Sequence, residues 1–273
     1  MEHMTAKIKE AADFLQEKGF TDVTTAVILG TGLGGFTEQI KVLQTVPYHA
    51  IPHFPVATVE FHKGQLLIGE AGTKRVLVMQ GRFHYYEGYS MQQVTFPVRV
   101  MKALGITTLL ISNAAGGMNP DFKKGDLVLL TDHINMQPEN PLRGPHEPAF
   151  GDRFPDMSEP YNHQLNERII KTANRLKVPL KQGIYVAVQG PNLETRAEYR
   201  YLRLSGAAMV GMSTVPEVIV ANQCGILCAA ISVITDECDP DHLQPVNIEE
   251  IIKVAGEADK VLSVLVREVV SGE

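Results

Sequence analysis

The sequence predicts a single α/β domain over residues 1–273, built on a mixed β-sheet with helices on both faces. Runs such as AVIL, LVLLT and ILCAAISVIT are apolar at consecutive positions, the mark of strands covered on both sides. Between these runs lie segments with apolar residues at helical spacing, and no repeat, low-complexity tract or linker divides the chain. At 273 residues the chain can bury a large core.

The start, MEHMTAKIKEAADFLQEKGF, is charged and amphipathic and predicts a helix over 4–18. It lacks the apolar region of a signal peptide, and no later stretch approaches membrane-spanning length, so a cytoplasmic protein without a membrane partner is expected. Strands are expected at 26–29, 66–69 and 76–79, a helix at 91–104, and strands at 108–112 and 127–131. From Gln137 to Pro160 no periodicity is visible, and loops of that length tend to be functional or to reach a neighbouring subunit. A helix over 162–176, a strand over 184–188, helices over 195–204 and 215–223, a strand over 226–235 and a helix over 247–270 complete the chain.

Composition narrows the partners. The net charge is −6 with no basic run, which argues against nucleic acid and for small molecules. Cys224, Cys228 and Cys238 cannot all pair and lack metal-ligand company, so they read as small buried residues, with no metal or cofactor implied.

The strand at 26–29 runs into Gly30-Thr31-Gly32-Leu33-Gly34-Gly35, which satisfies the GxGxxG pattern of dinucleotide-binding folds and can present backbone N–H groups to a phosphate. A dinucleotide site needs an acidic residue about 20 positions on. Around Ala50 the chain offers none before Glu60, and Glu38 comes too early. Inorganic phosphate therefore fits at least as well, with the Thr31 hydroxyl as an added donor.

Further polar clusters sit at expected strand ends, where open α/β sheets bind ligands. In QGRFHYYEGYS, an extended segment turns Arg82 and His84 the same way, a fork-shaped cation beside an imidazole. A helix-capping arginine is the plain alternative. In ISNAAGGMNP, Ala114 offers an N–H and the diglycine Gly116-Gly117 leaves room for a flat ring, unless it serves sheet packing. In QGPNLETRAEYR, Asn192 reads as an N-cap, with Glu194 in the first turn. Ser213 and Thr214 open the next helix, where capping alone accounts for both hydroxyls. The strand ending ISVITDECD delivers Thr235 and Asp236. Packing and capping explain each cluster singly but not all of them together.

Taken together, GTGLGG, TVEFHKGQL, MQGRFHYYEGY, SNAAGGMN, NPLRGP with FGDRFPDMS, QGPNLETRAE, VGMSTVPEVIVA and SVIT resemble the purine nucleoside phosphorylases of the trimeric, low-molecular-mass class. The resemblance implies a nucleoside phosphorylase-like fold, a homotrimer, and reversible phosphorolysis of inosine, guanosine or their 2′-deoxy forms in purine salvage. It assigns phosphate to Thr31, His62, Arg82, His84, Ala114 and Ser213, with His62 closing over the site. Sugar contacts fall to Tyr86 and Met212, and to Phe150 reaching a neighbouring subunit. Base contacts fall to Ala114, Tyr185, Leu193, Glu194, Val210 and Asp236. Phosphate is then a co-substrate, with His84, Glu194 and Asp236 closest to the chemistry. Glu194 would accept from N1–H of a 6-oxopurine. Two positions depart from the pattern: Asp236 stands where mammalian-like members carry Asn, and Ile248 where a histidine meets the ribose 5′-hydroxyl. Both leave 5′-methylthioadenosine phosphorylase as the alternative. An NAD-dependent oxidoreductase is a distant one, and a non-catalytic nucleoside-binding protein has little use for a second anion cradle.

Overall fold

The computed structural model describes residues 4–56 and 63–272. The order is α1 (Met4–Glu17), β1 (Thr25–Leu29), β2 (Lys41–Pro47), β3 (Gln65–Ala71), β4 (Lys74–Gln80), α2 (Met91–Val94), α3 (Phe96–Ala103), β5 (Thr108–Gly117) and β6 (Leu127–Asn135). There follow α4 (His163–Leu176), β7 (Leu180–Ala187), α5 (Arg196–Leu204), β8 (Met209–Gly211), α6 (Val215–Gln223), β9 (Leu227–Glu237) and α7 (Ile248–Ser271). One α/β domain results, its mixed sheet covered on both faces. Among the described residues, no helix is long and apolar enough to cross a membrane.

β1 explains the consecutive apolar runs. It lies between β4 and β5, parallel to both, and its alternate side chains enter different cores. Ala26 and Ile28 join α1, α3 and α6, whereas Val27 and Leu29 join α4 and α7. Fully burying one such aliphatic side chain is worth about 1.5–3 kcal/mol, and both faces of β1 contribute. β9 repeats the pattern, with Ala229, Ile231 and Val233 opposite Cys228, Ala230 and Ile234.

β2, β3 and β4 form an antiparallel wing beside β1. The other half of the sheet closes on itself: β5 pairs with β8, β8 with β7, β7 with β6, β6 with β9, and β9 again with β5. This circuit gathers the ends of β5, β8 and β9 around one opening. β2 and β8 are additions to the sequence reading. The helix expected over 91–104 is divided at Thr95, because Pro97 has no N–H to continue the ladder and instead starts α3.

Candidate active site

A cavity of about 330 Å³ opens at these strand ends. Its wall brings together Thr31, Arg82, His84, Tyr86, Ala114, Leu193, Glu194, Val210, Met212, Ser213 and Asp236, all expected at the site, with Ile248 beside them. His62 lies outside the described residues.

The glycine loop carries Thr31 to this wall without the helix that a dinucleotide fold requires. A four-residue 3-10 turn, Gly35–Glu38, follows it, and then the antiparallel strand β2. Three backbone donors tie the loop down. Gly30 N–H donates to Ser112 Oγ at 3.3 Å, Leu33 N–H to the Gly30 carbonyl at 3.1 Å, and Gly35 N–H to Asp259 Oδ2 at 2.6 Å.

After β4 the side chains alternate as expected. Phe83 turns into the core against Tyr48, while Arg82 and His84 face the cavity. Among the described residues, Arg82 bonds to no helix-terminal carbonyl. Its Nη1 donates to the Ser112 carbonyl and Thr214 Oγ1, each at 3.2 Å, and its Nη2 and Nε reach Glu217 Oε1. The His84 ring stacks on Tyr86 with centroids 4.6 Å apart, and Nδ1 lies 2.9 Å from Glu87 Oε1. Burial lowers the His84 pKa, against the raising effect of the Glu87 bond. A carboxylate only accepts, so Nδ1 carries the ring proton.

The Thr214 hydroxyl is not a helix cap. It accepts from Asn113 Nδ2 at 2.9 Å as well as from Arg82. Thr214 has φ 70° and ψ −54°, and Val215 N–H bonds back to the Ser213 carbonyl at 2.7 Å. This is a strained γ-turn that costs on the order of 1–3 kcal/mol. It sets Ser213 at the start of α6, beside the cavity.

Three expectations need correction. Tyr185 does not line the cavity: it is wholly buried, and its hydroxyl accepts from Ser213 N–H at 3.3 Å. Gly211 makes this possible, since a Cβ there would lie 2.2 Å from that hydroxyl. Burial holds the Tyr185 phenol up at about 12. Phe150, expected to reach a neighbouring subunit, is buried in its own chain under the Arg99 guanidinium. The aromatic that this loop does expose is Phe154, at 87%. Asn192 is not the cap of α5; Thr195 takes that role in a capping box with Glu198, and Glu194 lies just outside the helix.

At another part of the wall, burial pushes the Glu194 carboxyl up, with Asp236 and Glu198 adding to the shift. Asp236 is aimed by a bulge: Ala115 pairs with Ile234 but Gly116 with Asp236, leaving Thr235 as the extra residue. Gly116 itself lines the cavity, and both glycines also make room for neighbouring side chains. A Cβ on Gly116 would lie 2.5 Å from Cys238 Sγ, and one on Gly117 would lie 2.8 Å from Ile234 Cγ2. Cys224, Cys228 and Cys238 are all buried.

Sequence reasoning missed several functional partners. Glu217 had a signal, a lone carboxylate in the apolar stretch VPEVIVA. Glu87 had one too, three positions after His84. Tyr199 and the α7 residues Ile251 and Ile252 also line the cavity, and nothing in their local sequence marks them.

The Phosphorylase superfamily pattern matches residues 24–271. Purine nucleoside phosphorylase 1 of Bacillus subtilis (strain 168) is 47% identical over 268 residues, 98% of this chain and 99% of that protein. Purine nucleoside phosphorylase of Mus musculus is 47% identical over 240 residues, 85% of this chain and 83% of that protein. The crystal structure of isoform 2 of the Schistosoma mansoni enzyme, in complex with cytosine and ribose-1-phosphate, is similar with a TM-score of 0.92. It is 38% identical, and the match covers 97% of this chain and 96% of that one. Fold, cavity and sequence agree, and the chain belongs to the phosphorylase superfamily and, within it, to the purine nucleoside phosphorylases.

Proposed function

We propose that this protein catalyses the reversible phosphorolysis of purine nucleosides, taking inosine, guanosine and their 2′-deoxy forms. One observation carries the reading: Thr31, Arg82, His84, Ala114 and Ser213, from separate strand ends, share a cavity with Glu194 and Asp236. Phosphate lies against the first group and the purine against the two carboxyl groups. The pentose lies between them, on Tyr86 and Met212.

The chemistry suits this inventory. As the purine leaves, positive charge develops on the sugar, and a phosphate dianion held beneath C1′ stabilises it and then attacks. Arg82 supplies the cation, and Thr31 and Ser213 supply hydroxyl donors. His84, on the same wall, adds its imidazole to the groups around the phosphate. Glu194 accepts from N1–H of a 6-oxopurine. A purine lacking that proton leaves the bond unmade, at a cost of roughly 1–3 kcal/mol.

The assembly is a homotrimer on this reading. Phe154, on the long loop after β6, lines a separate cavity with Arg143 and Arg153 and is the aromatic offered to a neighbouring copy. Ile248, Ile251 and Ile252 on the cavity wall favour a second reading, a 5′-methylthioadenosine phosphorylase with an apolar seat for a 5′-thioether.

A panel of inosine, guanosine, adenosine and methylthioadenosine, each with and without phosphate, tests both readings. Purine and pentose 1-phosphate formed from inosine or guanosine only with phosphate is the expected result. Preference for methylthioadenosine establishes the second reading, and phosphate-independent release of free pentose refutes both.

A further inference from the structure

Ser232 of β9 is the register partner of Asn113 of β5 in the parallel pair. It is wholly buried and forms no part of the cavity wall. Its hydroxyl donates to Asn113 Oδ1 at 2.7 Å, and Asn113 Nδ2 donates to Thr214 Oγ1 at 2.9 Å. Thr214 Oγ1 in turn lies 3.2 Å from Ser213 Oγ. Three buried side chains thus lead from the middle of the sheet to Ser213 on the wall.

Which hydroxyl of the last pair donates is settled by the groups behind it. A guanidinium only donates, so Thr214 Oγ1 accepts from Arg82 Nη1. Ser232 orients the Asn113 amide. Were the amide reversed, the buried Ser232 proton would lose its acceptor, and among the described residues that hydroxyl has no other partner. Thr214 therefore accepts from Asn113 as well, and both lone pairs of its oxygen are taken. Its proton goes to Ser213 Oγ. On the other side of Ser213, the Tyr185 phenol accepts from Ser213 N–H and is in hydrogen-bonding contact with the Ser213 side chain. Burial keeps this phenol protonated, which makes it a second donor to Ser213 Oγ. Accepting from both, Ser213 turns its own proton into the cavity.

Resting on the phosphorolytic reading above, we propose that Ser232, Asn113 and Thr214 are positioning residues, a relay of one-way hydrogen bonds that makes the Ser213 hydroxyl a donor to phosphate. Ser232 acts on the anion through the other residues and does not touch it. The relay gives the unfavourable backbone of Thr214 a purpose: at φ 70° its Oγ1 is within reach of Arg82, Asn113 and Ser213 at once. A serine free to rotate would spend its proton on Thr214 in part of the molecules, and phosphate would have to turn it back. With the donor direction set beforehand, that reorganisation is absent when the anion arrives. The cradle then favours a charged oxygen at Ser213 over a protonated one.

The test is the Kd for inorganic phosphate, read by calorimetric titration of the whole protein, together with the KM for inosine at saturating phosphate. Ser232→Ala is expected to weaken phosphate binding about threefold to tenfold, and Thr214→Val at least as much, with the inosine KM changed by less than about twofold. Thr214→Ser keeps the hydroxyl and binds phosphate within about twofold of the wild type. Added to Ser213→Ala, Ser232→Ala has no further effect, because its action passes through the Ser213 hydroxyl. The same loss with and without that hydroxyl overturns the relay, and so does a folded Ser232→Ala that binds phosphate as the wild type does. Should Ser232→Ala fail to fold, the two Thr214 variants decide, and an equal phosphate Kd in both overturns the relay. Binding needs no turnover. Phosphate bound without phosphate-dependent cleavage of any nucleoside refutes the phosphorolytic reading alone, and a wild type that binds no phosphate refutes both.

Discussion

Arg82 and Glu217 meet as a buried ion pair on the cavity floor, Nη2 to Oε1 at 2.5 Å, with side chains only 1% and 4% exposed. The second carboxylate oxygen of Glu217 has no hydrogen-bond partner among the described residues. The guanidinium is thus held against the cavity by a group whose own desolvation is only half compensated. Removing one partner of such a pair strands the other charge.

Glu217→Ala is therefore expected to destabilise the fold by about 3–5 kcal/mol, measured by urea unfolding. Phosphate should recover part of that loss, because it binds the folded state and supplies a new partner for Arg82. A change below about 0.5 kcal/mol, the range of ordinary surface substitutions, contradicts the buried pair.

Thr214 combines an unfavourable backbone with three hydrogen bonds at its hydroxyl, to Arg82, Asn113 and Ser213. Thr214→Ala and Thr214→Gly lose the hydroxyl equally, but only glycine accepts φ 70° without strain. Thr214→Gly should be the more stable of the two by about 1 kcal/mol, the reverse of their order inside a helix. Calorimetric melting decides, and a more stable Ala variant contradicts the γ-turn.

For His84, burial places the folded pKa below the unfolded value of 6.5. Below 6.5 the unfolded chain takes up a proton that the folded chain resists, so stability present above 6.5 is lost as pH falls through that value. The imidazole resonances should titrate with a midpoint under 6.5 in the phosphate-free protein. A midpoint at or above it contradicts a neutral, buried His84.

Phe150 and Phe154 should separate cleanly. Phe150→Ala is expected to cost about 3–5 kcal/mol of stability, as for other buried aromatics. Phe154→Ala should stay within about 0.5 kcal/mol and instead raise the KM for nucleoside. Unfolding curves and initial rates distinguish them, and the opposite assignment restores Phe150 as the shared aromatic.

Strands with two buried faces were legible because β1 and β9 must be apolar at consecutive positions. β2 was not: apart from Val46 its residues are exposed, so no core-facing alternation marks it. β8, at three residues, is too short for any period to show. The site residues were legible where chemistry and spacing coincide, as for Arg82 and His84 flanking Phe83. Roles set by tertiary direction were not. A hydroxyl before a helix reads as a cap, yet that of Thr214 is held by Arg82 and Asn113. Two phenylalanines in an aperiodic loop give no sign of which is buried. Tyr185 looks like a base contact until Gly211 is seen to admit its hydroxyl beneath Ser213.

The phosphate cradle is tested most directly at Ser213, whose hydroxyl lies 3.2 Å from that of Thr214 and belongs to no ion pair. Initial rates of inosine cleavage, varying phosphate and inosine separately, compare the wild type with Ser213→Ala. A phosphate KM raised by roughly tenfold, with the inosine KM within about twofold, is the expected result for a lost bond to a charged ligand. An unchanged phosphate KM with a raised inosine KM contradicts the placement of the attacking phosphate.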